Sequence, residues 1–128
     1  MIVTAVPWSA LAAEFLAAAV ISASVEDYRR QVEGGAVLFQ VTNDAGEVLG
    51  FYILRVDHCA EKTIGVLVAA AGRPGHRFAD ELMPIIEGQF VDCDELHQYA
   101  SRPGMVKKLV GQGWEATHLV MRKVLNHG

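Results

Sequence analysis

A chain of 128 residues that is 52% apolar is long enough to bury a core and too short to build two, so residues 1–128 are read as one domain. A net charge of −4 argues against a general nucleic-acid binder, which needs a broad basic face. Two widely separated cysteines, Cys59 and Cys93, form no C-x-x-C pair, so free thiols in a cytoplasmic setting are the default and no disulfide framework is expected.

The first element is a short strand, Ile2 to Val6, ended by Pro7, whose fixed φ and missing N–H suit a helix start near Trp8-Ser9. Leu11, Phe15, Ala18 and Ser22 then mark one face of an Ala-rich helix. The apolar stretch from Leu11 to Ser24 fails as a leader or membrane span. No Lys or Arg precedes it, Glu14 interrupts it, and it is shorter than the roughly 20 residues a bilayer requires. An unprocessed start at Met1 and no membrane partner are expected. A second helix, Val25 to Val32, carries Tyr28, Arg29 and Arg30 and stops at Gly34-Gly35.

Val37 to Thr42, a turn at Asn43-Asp44-Ala45-Gly46, and Glu47 to Leu54 read as strand, turn, strand. Asp57 and His58 follow at the far end of this hairpin and are expected at the surface. Neither His58-Cys59 nor Asp92-Cys93-Asp94 has the spacing of a metal site, so no metal is expected. Thr63 to Ala69 is a nearly continuous apolar run and reads as a buried strand. It passes through Gly72-Arg73-Pro74-Gly75 into a helix marked by Phe78, Leu82, Ile85 and Ile86, in which Pro84 removes one backbone hydrogen bond. A helix entered from such a loop presents unpaired N–H groups and a positive dipole end beside Arg73, His76 and Arg77, a ready anion site. Neither G-x-x-x-x-G-K-[ST] nor G-x-G-x-x-G is present. Glu95 to Ser101 alternates as a strand, a helix follows Pro103, and Ala116 to Val124 is expected to close the sheet after Trp114.

Charge is uneven along the chain. Residues 1–64 hold four Lys/Arg against eight Asp/Glu, and residues 65–128 hold seven of each. Arg73, Arg77, Arg102, Lys107 and Lys108 fall in two segments, around the loop and around the last helix, either as an anion site or as ordinary solvated surface.

Thr63–Ala69 followed by Pro74–Ala79, the hairpin with its Gly50-Phe51 pair, and Arg102-Pro103-Gly104-Met105 through Gly113-Trp114 together resemble the GNAT superfamily, the acetyl-CoA-dependent N-acetyltransferases. The resemblance implies an α/β architecture, a mixed and mostly antiparallel central sheet with helices on both faces. It also implies that the fourth and fifth strands splay around acetyl-CoA. The backbone at Leu67 and Ala69 would then hold the pantetheine, and the amides of Gly75, His76, Arg77, Phe78 and Ala79 the pyrophosphate. Arg73, Arg77 or Arg102 would pair with phosphate oxygens. Arg77 stands where the family has its central glycine, and its side chain either obstructs that approach or contacts the phosphate itself. Arg102 replaces an asparagine, Thr63 the glutamate common at the start of the fourth strand, and Leu109 the usual tyrosine acid.

Acetyl transfer to an amine needs a base for the ammonium proton and an acid for the leaving thiolate. Glu95, His97, Tyr99 and Ser101 share one face by period-two alternation, so His97 as base and Tyr99 as acid are the catalytic candidates; the other reading makes them half-buried sheet residues with satisfied hydrogen bonds. The function expected is an acyl-CoA-binding N-acetyltransferase acting on an amine, small molecule or peptide. The alternative is a catalytically inactive GNAT-fold protein with a binding, regulatory or structural role, such as a phage or prophage component. An unrelated α/β binding domain is a third reading. A homodimer is among the expected assemblies, and nucleic acid is not an expected partner.

Overall fold

The computed structural model describes residues 1–19, 24–74, 78–100 and 103–125. Strand β1 (Ile2–Val6) gives way at Pro7, and Ser9 caps helix α1 (Ala10–Leu16) by accepting a hydrogen bond from the Ala12 amide at 3.1 Å. A 3-10 turn, Ala17–Ala19, continues α1 with tighter pitch. Ser22, assigned to this helix from its spacing, lies outside the described residues. Ser24 caps α2 (Val25–Glu33) in the same way, through the Asp27 amide at 3.0 Å. Tyr28 is the buried residue of α2, and its hydroxyl donates to the Ala19 carbonyl at 3.0 Å, tying α2 to the end of the preceding turn.

Strands β2 (Val37–Thr42) and β3 (Val48–His58) form the expected hairpin. Its turn is held by Asn43 Oδ1, which accepts from the amides of Ala45 and Glu47, and by Gly46 at φ 83°, a conformation that disfavours any side chain. Strand β4 (Thr63–Gly72) pairs antiparallel with β3, helix α3 (Phe78–Gln89) crosses over, and β5 (Glu95–Gln98) returns parallel to β4. Helix α4 (Pro103–Gly111) follows. The sheet order is β1-β2-β3-β4-β5, so β4 lies between β3 and the edge strand β5, and only the β4–β5 pair is parallel.

Each face of the sheet carries its own core. On one side Ala12 and Leu16 of α1 and Tyr28 of α2 pack against Leu38, Phe51, Ile53 and Ala69. Phe15 meets Phe51 edge to face, with ring centroids 5.4 Å apart. On the other side Leu82, Met83 and Ile86 of α3 and Leu109 of α4 pack against Val41, Leu49, Tyr52, Leu54 and Leu67. Tyr52 is fully buried, stacks on Phe39, and donates its hydroxyl to Gln89 Oε1 at 2.6 Å; burial pushes its pKa up to about 12, so it stays protonated. Helices therefore cover both faces, as the sequence reading anticipates.

Three expectations change. Strand β3 runs to His58, four residues past Leu54, because its continuation is paired along the first half of β4. Strand β5 stops at Gln98 rather than Ser101. The strand expected from Ala116 to Val124 does not form: residues 114–125 carry no helix or strand. Leu119 is 89% exposed there and Met121 87%. Alternation gives a segment the capacity to pair, but pairing needs an edge within reach, and no strand of the described residues accepts this one. Among the described residues no helix is long and apolar enough to cross a membrane.

Candidate functional site

The run Leu67-Val68-Ala69 fixes the geometry of the site. Ile53 is opposite Ala69 on β4 and Leu54 is opposite Leu67, which leaves Val68 as an extra residue, a β-bulge. Strict alternation would put Leu67 and Ala69 on the same face. With the bulge between them, Leu67 enters the α3/α4 core and Ala69 the α1/α2 core.

The pairing of β4 with β5 ends at the same point. The register runs Ile64–Glu95, Gly65–Leu96, Val66–His97 and Leu67–Gln98, and goes no further. Beyond it β4 continues to Gly72, paired on one side with Gly50 to Ile53 of β3 and, among the described residues, with no strand on the other. Of the backbone polar groups of Val68 to Gly72, those turned away from β3 thus meet no strand among the described residues, an unpaired edge here termed the slot, and the residues along it are small, Ala69, Ala70, Ala71 and Gly72. Upstream, Gly65 holds α3 close: an added Cβ would stand 2.5 Å from Cδ1 of Phe90, so no larger residue fits without displacing that ring.

In sequence β4 is followed by α3, whose first-turn amides lack intrahelical partners. Of the residues expected to hold the cofactor, Leu67 is the last position matched to β5, Ala69 lies past it, and Phe78 and Ala79 open α3. Gly75, His76, Arg77 and Arg102 lie outside the described residues. Arg73 is anchored at the mouth of the hairpin, its amide donating to the Leu49 carbonyl at 2.8 Å and its guanidinium to Glu47 Oε2 at 3.1 Å. That exposed ion pair is worth at most about 1 kcal/mol, so it holds Arg73 only loosely against a phosphate. Lys108 of α4 reaches Asp80 in the first turn of α3 at 3.3 Å and brings a second cation to that helix end.

The catalytic candidates stand on the α1/α2 side of the sheet. Leu96 packs with the α3/α4 core and Gln98 reaches Met83 Sδ, so the intervening His97 points the other way. Its Nε2 lies 2.8 Å from Glu95 Oε1, and Lys62 Nζ lies 2.5 Å from Glu95 Oε2. Lys62 first, and then His97, hold the Glu95 carboxyl below its usual range. Tyr99 lies just past the end of β5 and is 70% exposed.

Arg55, Val66 and His97 form one row across β3, β4 and β5, and Asp57, Ile64 and Glu95 form the next. Arg55 grips Asp57 through two bonds, 2.8 and 3.1 Å, and reaches Gln31 of α2 at 2.8 Å. Asp57, expected at the surface, lies there with its side chain 44% exposed, and it joins this polar row. Its carboxyl is held low, chiefly by the Arg55 bond. Because Asp57 and Glu95 are both depressed, each contributes stability that is present above the ordinary carboxylate range and is lost as pH falls through its lowered value. The Gln31–Arg55–Asp57 group is what sequence reasoning missed. The alternation of Phe51, Ile53, Arg55 and Asp57 along β3 was the available signal.

The two positions where the family keeps its base and acid do other work here. The Thr63 amide donates to Asp94 Oδ2 at 2.8 Å and its hydroxyl to the same oxygen at 3.3 Å, pinning the start of β4 to that of β5. Leu109 is buried in the α3/α4 core. An apolar cleft of about 470 Å³, lined by Val37, Phe39, Leu54, Phe90 and Cys93 among others, opens at the opposite end of β4 and is not part of the slot. Cys59 and Cys93 are free thiols. Among the described residues no three His, Cys, Asp or Glu side chains gather as a metal site.

No protein-family model matches the sequence, and no curated relative matches it. Solved structures do. A probable acetyltransferase is 16% identical and superposes with a TM-score of 0.69, covering 100% of this chain and 99% of its own. A transcriptional regulator from Bacillus halodurans C-125 is 13% identical with a TM-score of 0.71, covering 96% and 99%. The aminoglycoside N-acetyltransferase AAC(6')-Iy, solved in complex with CoA, is 18% identical with a TM-score of 0.62, covering 88% and 85%. With three antiparallel pairs, one parallel pair, and a bulge where that parallel pair ends, this chain has the fold of the GNAT N-acetyltransferases.

Proposed function

We propose that the chain binds acetyl-CoA in the slot between β4 and β5 and transfers the acetyl group to an amine. The observation that carries this reading is the coincidence of the Val68 bulge with the end of β4–β5 pairing, which leaves a strip of unpaired backbone leading to the start of α3. Unpaired amides and carbonyls along an extended strip match the amide groups of a pantetheine arm, and an unpaired helix start matches a pyrophosphate. One structure of the same fold, an aminoglycoside N-acetyltransferase, was solved with CoA.

In this reading the acceptor amine approaches from the α1/α2 side. His97, oriented by Glu95, takes the ammonium proton; the freed amine attacks the thioester carbonyl carbon, and Tyr99 protonates the departing sulfur. Arg55 and Asp57 border the acceptor and favour one that carries complementary polar groups.

A second reading, cofactor binding without turnover, is favoured by one specific observation. Leu109 is core and Thr63 is occupied with Asp94, so both usual proton carriers are absent. The neighbour described as a transcriptional regulator has the same fold, which suits such a role.

Thermal unfolding with CoA or acetyl-CoA tests the binding half. Ligand at one hundred times Kd adds about 2.7 kcal/mol. At about 4 °C per kcal/mol for a domain of this size, the midpoint should rise by roughly 10 °C. Arg73→Ala should shrink the rise, and Glu47→Gln, which releases Arg73, should not. No rise at millimolar ligand would leave a GNAT fold without its cofactor.

A further inference from the structure

We infer that, resting on the transfer reading above, the acceptor is a free amino acid whose carboxylate is held by Arg55 while its amine lies toward His97 and Asp57. The placement of the charged groups carries this. On the α1/α2 side of the sheet Arg55, Val66 and His97 stand in one row across β3, β4 and β5, and Asp57, Ile64 and Glu95 stand in the next. The middle strand supplies an apolar floor, Val66 buried and Ile64 half-buried. One rim is the Arg55–Asp57 ion pair, and the other is the Lys62–Glu95 ion pair with His97. Asp57 is the main influence on the charge of Arg55, and Tyr99 adds to it from the other rim. Arg55 is likewise the main influence on Asp57, and His97 adds to it. The two rims are near enough to act on one another.

The balance of those charges selects the class of acceptor. Arg55 and Lys62 offset Asp57 and Glu95, so a polyamine meets no uncompensated negative charge there and a polyanion no uncompensated positive one. A zwitterion matches charges of both signs set side by side. Of a guanidinium's five N–H donors, Arg55 commits three, two to the oxygens of Asp57 and one to Gln31 of α2. One N–H on each terminal nitrogen is left for the two oxygens of a carboxylate, while Asp57 and Gln31 hold the fork in place. The Arg55 side chain remains 37% exposed, open to an incoming ligand. Arg55 and His97 are two strand spacings apart, roughly 10 Å between Cα atoms, and both side chains rise from the same face. Amine and carboxylate must therefore lie close together, as they do on one α-carbon and do not at the two ends of a peptide.

Initial rates of thiol release from acetyl-CoA, measured for a panel of free amino acids each against its own amide, with spermidine as a polycation, test the assignment. At least one amino acid should exceed both its amide and spermidine in kcat/KM by about 10- to 100-fold, the worth of charge-assisted hydrogen bonds to a carboxylate. Arg55→Met should erase that advantage through KM, and Arg55→Lys, which keeps the charge and loses the fork, should recover only part of it. Amides or spermidine used as well as the free acids, or an advantage that survives in Arg55→Met, would overturn the proposal and leave acetyl transfer standing. Background rates with every acceptor would overturn transfer instead. The Nε–H resonance of Arg55, followed with CoA present, then decides: saturable movement with amino acids and not with their amides supports Arg55 as the carboxylate site, and no movement overturns it. That titration uses the wild-type chain and does not depend on either variant folding.

Discussion

His97→Ala is expected to lower kcat for acetyl transfer to a good amine acceptor by about 10²-fold or more, with KM for acetyl-CoA little changed. A positioned base contributes typically about 10² to 10⁴, and in the proposed mechanism the ring acts on the acceptor proton rather than on the cofactor. His97 stands on the proposed acceptor side, its ring oriented by Glu95 at 2.8 Å. Tyr99→Phe should produce a separate loss, since it removes the donor for the leaving thiolate and leaves the ring in place. The measurement is steady-state release of free thiol across a panel of polyamines, amino acids and peptides, with circular dichroism to confirm folding. Unchanged rates in both variants would remove the pair from the mechanism. Uniformly background rates in the wild type would favour the reading in which the chain binds CoA and does not turn over.

Phe51→Ala should have the largest effect on stability. Phe51 is fully buried between α1 and the sheet, meets Phe15 edge to face, and lies opposite Ala71 in the half of β4 that borders the slot. Truncating a buried Phe costs about 3–5 kcal/mol through lost transfer energy and the cavity left behind. Against a total of roughly 5–15 kcal/mol that is a large share, and at about 4 °C per kcal/mol the thermal midpoint should fall by roughly 12–20 °C. A fall below about 4 °C would mean that α1 collapses onto the sheet and that this core does not hold the slot rigid.

Residues whose structure is set locally were legible in the sequence. Ile2–Val6, Val37–Thr42 and the start of α2 at Val25 are bounded by Pro7, by the Asn43–Gly46 turn and by Ser24, each of which acts within a few residues. The passage from β4 into α3 was legible for the same reason. The bulge at Val68 was not, because a strand buried on both faces has no polar alternation from which to read its phase. The Arg55–Asp57–Gln31 group joins β3 to α2 across 24 positions of sequence, a contact that only the packing of that helix creates. His97 with Glu95 was readable from alternation alone. The terminal segment shows the reverse case, a strand pattern that the single chain leaves unpaired.

The central claim is that the slot between β4 and β5 is an acyl-CoA site, and amide-resolved NMR of the nitrogen-15-labelled chain titrated with CoA tests it most directly. The account predicts saturable shifts concentrated at the amides of Val68 to Gly72 and in the first turn of α3 from Phe78, with those in the β1–β2 pair unmoved. Shifts clustered instead around the apolar cleft at Val37, Phe39 and Phe90, or no saturable shifts at millimolar CoA, would contradict it.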